Sequence, residues 1–163
     1  MDRGSQGIVV PHVNTAEEAK NVIKAGKFPP LGERGMFPSR QSYGVQDYFV
    51  KANDQTLFIV LIEDIAAVNN LDQILSVDQI DVFFVAPSDL SASMGYIKNS
   101  KNQTVLDTID SALTTIVKSG NIAGTLVMDT NVNHYREIGV RLFATPVQTW
   151  ISNGIEQVIQ KIK

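Results

Sequence analysis

Five short apolar runs punctuate the chain, at residues 7–10, 57–62, 82–85, 123–128 and 140–144. They are rich in Val, Ile, Leu and Phe and do not alternate with polar residues. That is how strands buried on both faces read, as in parallel sheets. Helical periodicity fills the intervals. Thr15 and Glu18 have the spacing of a capping box, and Ala16, Ala19, Val22 and Ile23 then share one face. Ala67, Val68, Leu71, Ile74 and Leu75 form a second stripe. Val105, Leu106, Ile109, Leu113, Ile116 and Val117 form a third, which stops at Gly120 as a helix ending on glycine would. A short segment from 133 to 138 ends at Gly139, and a last helix carries Ile155, Val158, Ile159 and Ile162.

Strand and helix therefore alternate along the chain, which predicts a parallel sheet with right-handed crossovers. One stretch breaks the rhythm: residues 27–43, with Pro29, Pro30, Gly32, Gly35 and Pro38. A loop of that length is either functional or a solvated connector. Periodicity leaves two architectures open. One is a flavodoxin-like sheet; the other is the last five units of an eight-fold barrel, which takes about 250 residues when complete.

Composition narrows the partners. Of 163 residues, 44% are hydrophobic and 19% charged, which is a globular balance. Net charge is −3 and the basic residues are scattered, so no nucleic-acid footprint is expected. With no cysteine there is neither a disulfide nor a thiolate zinc site. No apolar run approaches the roughly 20 residues of a membrane helix, and Met1–Gln6 does not open a signal peptide. The expectation is a cytoplasmic protein that avoids the membrane.

Two carboxylates hold telling positions. Glu63 directly follows the run 57–62, and Asp89 lies four residues after the run 82–85. Ligands of parallel α/β folds bind at the carboxyl ends of strands, and consecutive strands are usually neighbours. Two convergent acids without cysteine suit a hard divalent cation, Mg²⁺ or Mn²⁺. The competing reading is that Asp89 caps a short turn at Leu90–Ser93. His12 follows the first strand and is placed to line the same mouth or to act structurally. His134 reads as a surface residue and Trp150 as packing. No phosphate-binding glycine loop or nucleophilic serine motif is present.

Four motifs then carry a resemblance. GIVVPHVNTAEEA from Gly7 resembles the fourth-strand motif of the metal-dependent (class II) 4-hydroxy-2-oxoheptanedioate and 2-keto-3-deoxyglucarate aldolases, the HpcH/HpaI family of the pyruvate-domain superfamily. Phe28 to Gly35 looks like that family's P-P-x-G-x-R-G loop. Ile62-Glu63 followed by Ala67 to Leu71 looks like its fifth-strand metal motif. DVFFVAPSDLSASMG from Asp81 is similar to its sixth-strand signature. The motifs span essentially the whole chain.

The resemblance implies a partial TIM (β/α)₈ barrel comprising strands 4–8, in one aldolase domain over residues 1–163 that is truncated at its N-terminus. It implies a carbon–carbon lyase that cleaves 4-hydroxy-2-oxo acids to pyruvate and an aldehyde through a metal-stabilised enolate. Glu63 and Asp89 would hold the metal. Ser88 would offer backbone contacts to the substrate carboxylate. Leu61 stands where the family usually has a substrate-contacting glutamine. Arg34 in the long loop is expected to approach the same mouth and help shape it. The family's catalytic histidine and its enolate-steadying arginine belong to earlier units that this sequence does not contain. A homo-oligomer is expected. The alternatives are an impaired fragment or interaction module of the same fold and, third, a related thioester-using lyase.

Overall fold

The computed structural model describes residues 1–97, 99 and 101–162. Its elements run β1 (Gly7–Val10), α1 (Ala16–Gly26), α2 (Tyr48–Gln55), β2 (Leu57–Ile62), α3 (Ile65–Asn69), α4 (Leu71–Leu75), β3 (Val82–Val85), α5 (Pro87–Ser93), α6 (Gln103–Lys118), β4 (Ala123–Leu126), α7 (Val132–Ile138), β5 (Leu142–Ala144) and α8 (Val147–Ile162). The five strands form one sheet in sequential order, every pair parallel. The result is a half-barrel, which decides between the two architectures that periodicity left open.

Local chemistry sets these boundaries. Thr15 accepts from the Glu18 main chain while the Glu18 side chain takes the Asn14 and Thr15 amides, so α1 begins in a complete capping box. Gly120 and Gly139 stand at φ +83° and +105°, the left-handed geometry that closes α6 and α7. The stripe 67–75 is two short helices rather than one, broken at Asn70, whose side chain reaches across to the Asn14 carbonyl. Helix α2 was not signalled by periodicity. Its sequence YFVKANDQ buries only Ala52, and Asp47 at its start makes no capping hydrogen bond.

One face of the sheet is covered. Phe58, Val60 and Ile62 from β2 and Phe83 and Val85 from β3 are fully or almost fully buried there. They pack with Ala19, Ile74, Ile109, Leu113 and Ile116 from the helices. Burying each such side chain contributes about 1.5–3 kcal/mol. Phe58 lies so close to α1 that a Cβ on Gly26 would stand 2.1 Å from its ring, so only glycine fits there.

The other face departs from the expectation of strands buried on both sides. Alternate positions align in rows across it: Val9, Ile59 and Val82, then Leu61, Phe84, Gly124 and Leu142. Val9 is 55% exposed and Leu57 42%. Ile59 and Val82 in the first row and Gly124 in the second are nonetheless buried, so this face is open chiefly towards β1. The continuous apolar patterning reflects a face that is buried in part.

The long loop is tied to the amino ends of the strands. The Lys27 ammonium, buried, donates to the Asn53 carbonyl and sits 3.5 Å from that of Thr56, just before β2. Asn53 clamps Phe28 by donating to its carbonyl and accepting from its amide, at 2.9 and 2.8 Å. Gln41 donates to the Ser5 carbonyl just before β1. Arg34 stacks over Phe28 at 4.4 Å and pairs with Asp2. Arg34 therefore does not approach the mouth, contrary to expectation. The loop leads from α1 through α2 into β2, and these bonds hold it at the end of the sheet opposite the carboxyl termini of the strands.

Candidate active site

At the carboxyl end, His12, Glu63 and Asp64 meet in direct contact, and Asp89 follows β3 in the first turn of α5. The chain leaves β1 through Pro11 and turns sharply at His12, whose φ is +54°. This left-handed conformation is uncommon for a residue with a Cβ. It directs the His12 amide at Glu63, which accepts it on Oε1 at 2.8 Å. Glu63 is 3% exposed. Among the described residues no Lys or Arg pairs with it, and Oε2 accepts no hydrogen bond. Glu63 shares the strand parity of Leu61, which places both on the open face of the sheet.

Asp64 was not singled out from the sequence, yet it organises the site. It occupies the N-cap position of α3, where aspartate normally accepts from its own helix. It makes no such bond. Its Oδ2 instead meets His12 Nδ1 at 3.0 Å. The amide of Ile65, the first residue of α3, donates to Ser93 Oγ at 2.9 Å. The hydrogen bond to His12 holds the Asp64 carboxyl below its ordinary value, against the opposing effect of burial, with smaller lowering contributions from Asn14 and Ser93. The same bond raises the His12 imidazole above its ordinary value, with the nearby Glu63 and Asp89 charges adding to it.

Asp89 lies in the first turn of α5. It is exposed and takes part in no hydrogen bond or ion pair among the described residues. The capping reading of this residue therefore has no bond to support it. Ser88 precedes it, exposed, in the same first turn. Amides at a helix start lack partners in their own helix, so the Ser88 N–H is free for a ligand by position. Leu61 is half-buried on the open face, in register with Phe84.

The site combines Glu63, Asp64 and Asp89 against a single imidazole. Its donor chemistry fits a hard divalent cation, which takes oxygen ligands and is often held by only one or two protein carboxylates beside substrate oxygens. Among the described residues no three His, Asp or Glu are grouped so that they could together hold a metal ion. An open, two-carboxylate site is therefore the arrangement these residues could make. A separate cavity of about 380 Å³ lies at the amino end, near Ser5, Gln41, Tyr48 and Gln55, and holds no acid or histidine.

A half-barrel of βα units with acids gathered at the carboxyl ends of its strands defines a member of the (β/α)-barrel class. Comparison with known proteins makes this specific. Residues 1–157 match the family model described as HpcH/HpaI aldolase/citrate lyase, and the chain belongs to that family. It is 37% identical over 152 residues to the hydroxypyruvate/pyruvate aldolase of Roseovarius nubinhibens, covering 90% of this chain and 59% of that protein. It is also 37% identical over 154 residues to the 4-hydroxy-2-oxo-heptane-1,7-dioate aldolase of Escherichia coli, covering 91% and 59%. The crystal structure of an HpcH/HpaI aldolase/citrate lyase family protein from Burkholderia cenocepacia superposes with a TM-score of 0.92 at 28% identity, over 99% of this chain and 66% of that one. The chain thus spans about three fifths of the length of the curated relatives it matches.

Proposed function

We propose that this chain carries the cation-holding part of a class II pyruvate aldolase, which cleaves 4-hydroxy-2-oxo acids to pyruvate and an aldehyde. The observation that supports this most is Glu63. A carboxylate 3% exposed, at the carboxyl end of a strand, has one oxygen committed to the His12 amide, with the His12 imidazole 3.4 Å away as its one nearby cationic group among the described residues, and no Lys or Arg partner. Burying such a charge is costly unless it is compensated. Glu63 and Asp89 would be the residues to hold Mg²⁺ or Mn²⁺, which would supply further compensation. When bound, the cation draws electron density from the carboxylate and ketone oxygens of a 2-oxo acid.

The chain's own residues then have defined tasks. The Ser88 amide, at the start of α5, receives the substrate carboxylate. Leu61 and Phe84 form an apolar wall beneath Glu63, which limits water there and strengthens its charge interactions. The five strands correspond to the last five of a (β/α)₈ barrel. No residue of the site stands in the role of the family's base, and a positioned base contributes about 10²–10⁴-fold. The chain by itself is therefore at best a poor aldolase. The apolar stripe of α8, with Ile155, Val158, Ile159 and Ile162 all exposed, suits packing within a homo-oligomer. No helix among the described residues is long and apolar enough to cross a membrane, and a cytoplasmic location fits this reading.

A second reading, a non-catalytic interaction module of the same fold, draws on the exposed open face at Val9 and Leu57. Pyruvate release from 4-hydroxy-2-oxo acids separates the two. The chain joined to the preceding βα units of a relative should turn over only with Mg²⁺ or Mn²⁺, and Glu63→Gln should abolish it. Metal-independent turnover, or none in the joined protein, would reject the aldolase reading.

A further inference from the structure

The left-handed backbone of His12 remains to be explained. Glycine or asparagine is the residue such a turn favours, and a histidine persists there only where its surroundings hold it. Two interactions do so. The main-chain N–H points at Glu63 Oε1 at 2.8 Å, and the imidazole Nδ1 meets Asp64 Oδ2 at 3.0 Å. Asp64 makes the second contact in place of a cap on its own helix, whose first amide, that of Ile65, donates to Ser93 Oγ. Three elements are thus arranged around one amide direction.

We propose that His12 is a positioning residue for Glu63: its main-chain N–H, presented by the left-handed turn, captures Oε1 and leaves Oε2 as the oxygen directed to a cation. This rests on the cation reading given above. The imidazole stands 3.4 Å from the same Glu63 oxygen and anchors the turn through Asp64 at 3.0 Å. The turn, rather than the imidazole, delivers the effect. Glycine and asparagine, which adopt the same conformation readily, should therefore substitute for histidine. Valine, whose branched Cβ is poorly tolerated there, should not.

The test is Mn²⁺ titration of the 163-residue chain followed by electron paramagnetic resonance. His12→Gly and His12→Asn should bind Mn²⁺ close to wild type. His12→Val should bind about 10–100-fold more weakly, the loss typical when the partner of a metal ligand is removed. A second readout needs no cation and no His12 variant. In the cation-free protein the His12 amide proton should resonate downfield and exchange slowly with solvent, and Glu63→Ala should abolish both properties. If wild type binds no Mn²⁺, the cation reading fails while the amide measurement still decides whether His12 fixes Glu63. Wild-type affinity in His12→Val would overturn the proposal. So would losses in His12→Gly and His12→Asn as large as in His12→Val, since the imidazole itself would then be acting. An amide signal indifferent to Glu63→Ala would also overturn it.

Discussion

The two ends of the sheet treat charge in opposite ways. At the amino end, cations are paired or stacked within the fold, although one Arg34 guanidinium nitrogen is buried without a hydrogen bond. Lys27 is buried against main-chain carbonyls and the ring of Phe58, 4.9 Å away, and Arg34 lies between Phe28 and Asp2. At the carboxyl end, among the described residues, the acids outnumber the one imidazole, His12, that faces them. Glu63 is buried with one oxygen uncommitted, Asp89 is unpaired among the described residues, and Asp64 is turned from its helix toward a strained His12. A fold under selection for stability alone has no reason to assemble such a surplus. The amino end holds the structure together, and the carboxyl end is arranged for something that binds.

If that contrast is right, substitutions at the amino end cost stability and leave cation binding alone. The largest effect is expected for Phe58→Ala. It empties a fully buried site beneath Lys27 and should cost about 3–5 kcal/mol in urea unfolding. Lys27→Met keeps the stem but strands the Asn53 and Thr56 carbonyls, for a loss of about 1–3 kcal/mol. Mn²⁺ affinity of the folded Lys27→Met protein should match wild type; a large drop would mean that the two ends are not independent. Glu63→Gln should behave in the reverse manner, with unfolding free energy unchanged or raised because a buried charge is removed.

A smaller effect concerns pH. The hydrogen bond from Arg34 holds the Asp2 carboxyl below its ordinary value. A depressed carboxyl stabilises the fold above the unfolded pKa, and that stabilisation disappears as pH falls through the folded one. The stability difference between wild type and Asp2→Asn should therefore be complete at neutral pH. It should begin to shrink as pH drops through about 4 and vanish below the lowered pKa. A difference that grows on acidification would contradict the pairing. The smallest effect is expected for the exposed Lys24–Glu33 pair at 3.3 Å. Glu33→Ala should change stability by less than about 1 kcal/mol.

Much of this was legible in the sequence. The bounds of β1, β2 and β3 are those of the apolar runs, because strands packed under helices have no polar positions to blur them. The capping box at Thr15 and the closing glycines 120 and 139 were readable because each is a local rule. Helix α2 escaped because its one buried position makes no stripe. Arg34 was misplaced because proline and glycine signal a loop without saying at which end it lies. Chain order held that information, since a segment between a helix and the next parallel strand returns to the amino end. Glu63 and Asp89 could be located from the strand ends alone. Asp64 could not, because its sequence position is that of an ordinary N-cap. Only the structure shows its side chain spent on His12.

The central claim is that Glu63 and Asp89 share one divalent cation at the carboxyl end. Isothermal titration of Mn²⁺ into wild type, Glu63→Gln and Asp89→Asn tests it most directly. The account predicts a single site in wild type. Each substitution should weaken it by at least the 10–100-fold typical of removing a ligand's supporting partner. Equal affinity in all three proteins would place the cation elsewhere and contradict the account.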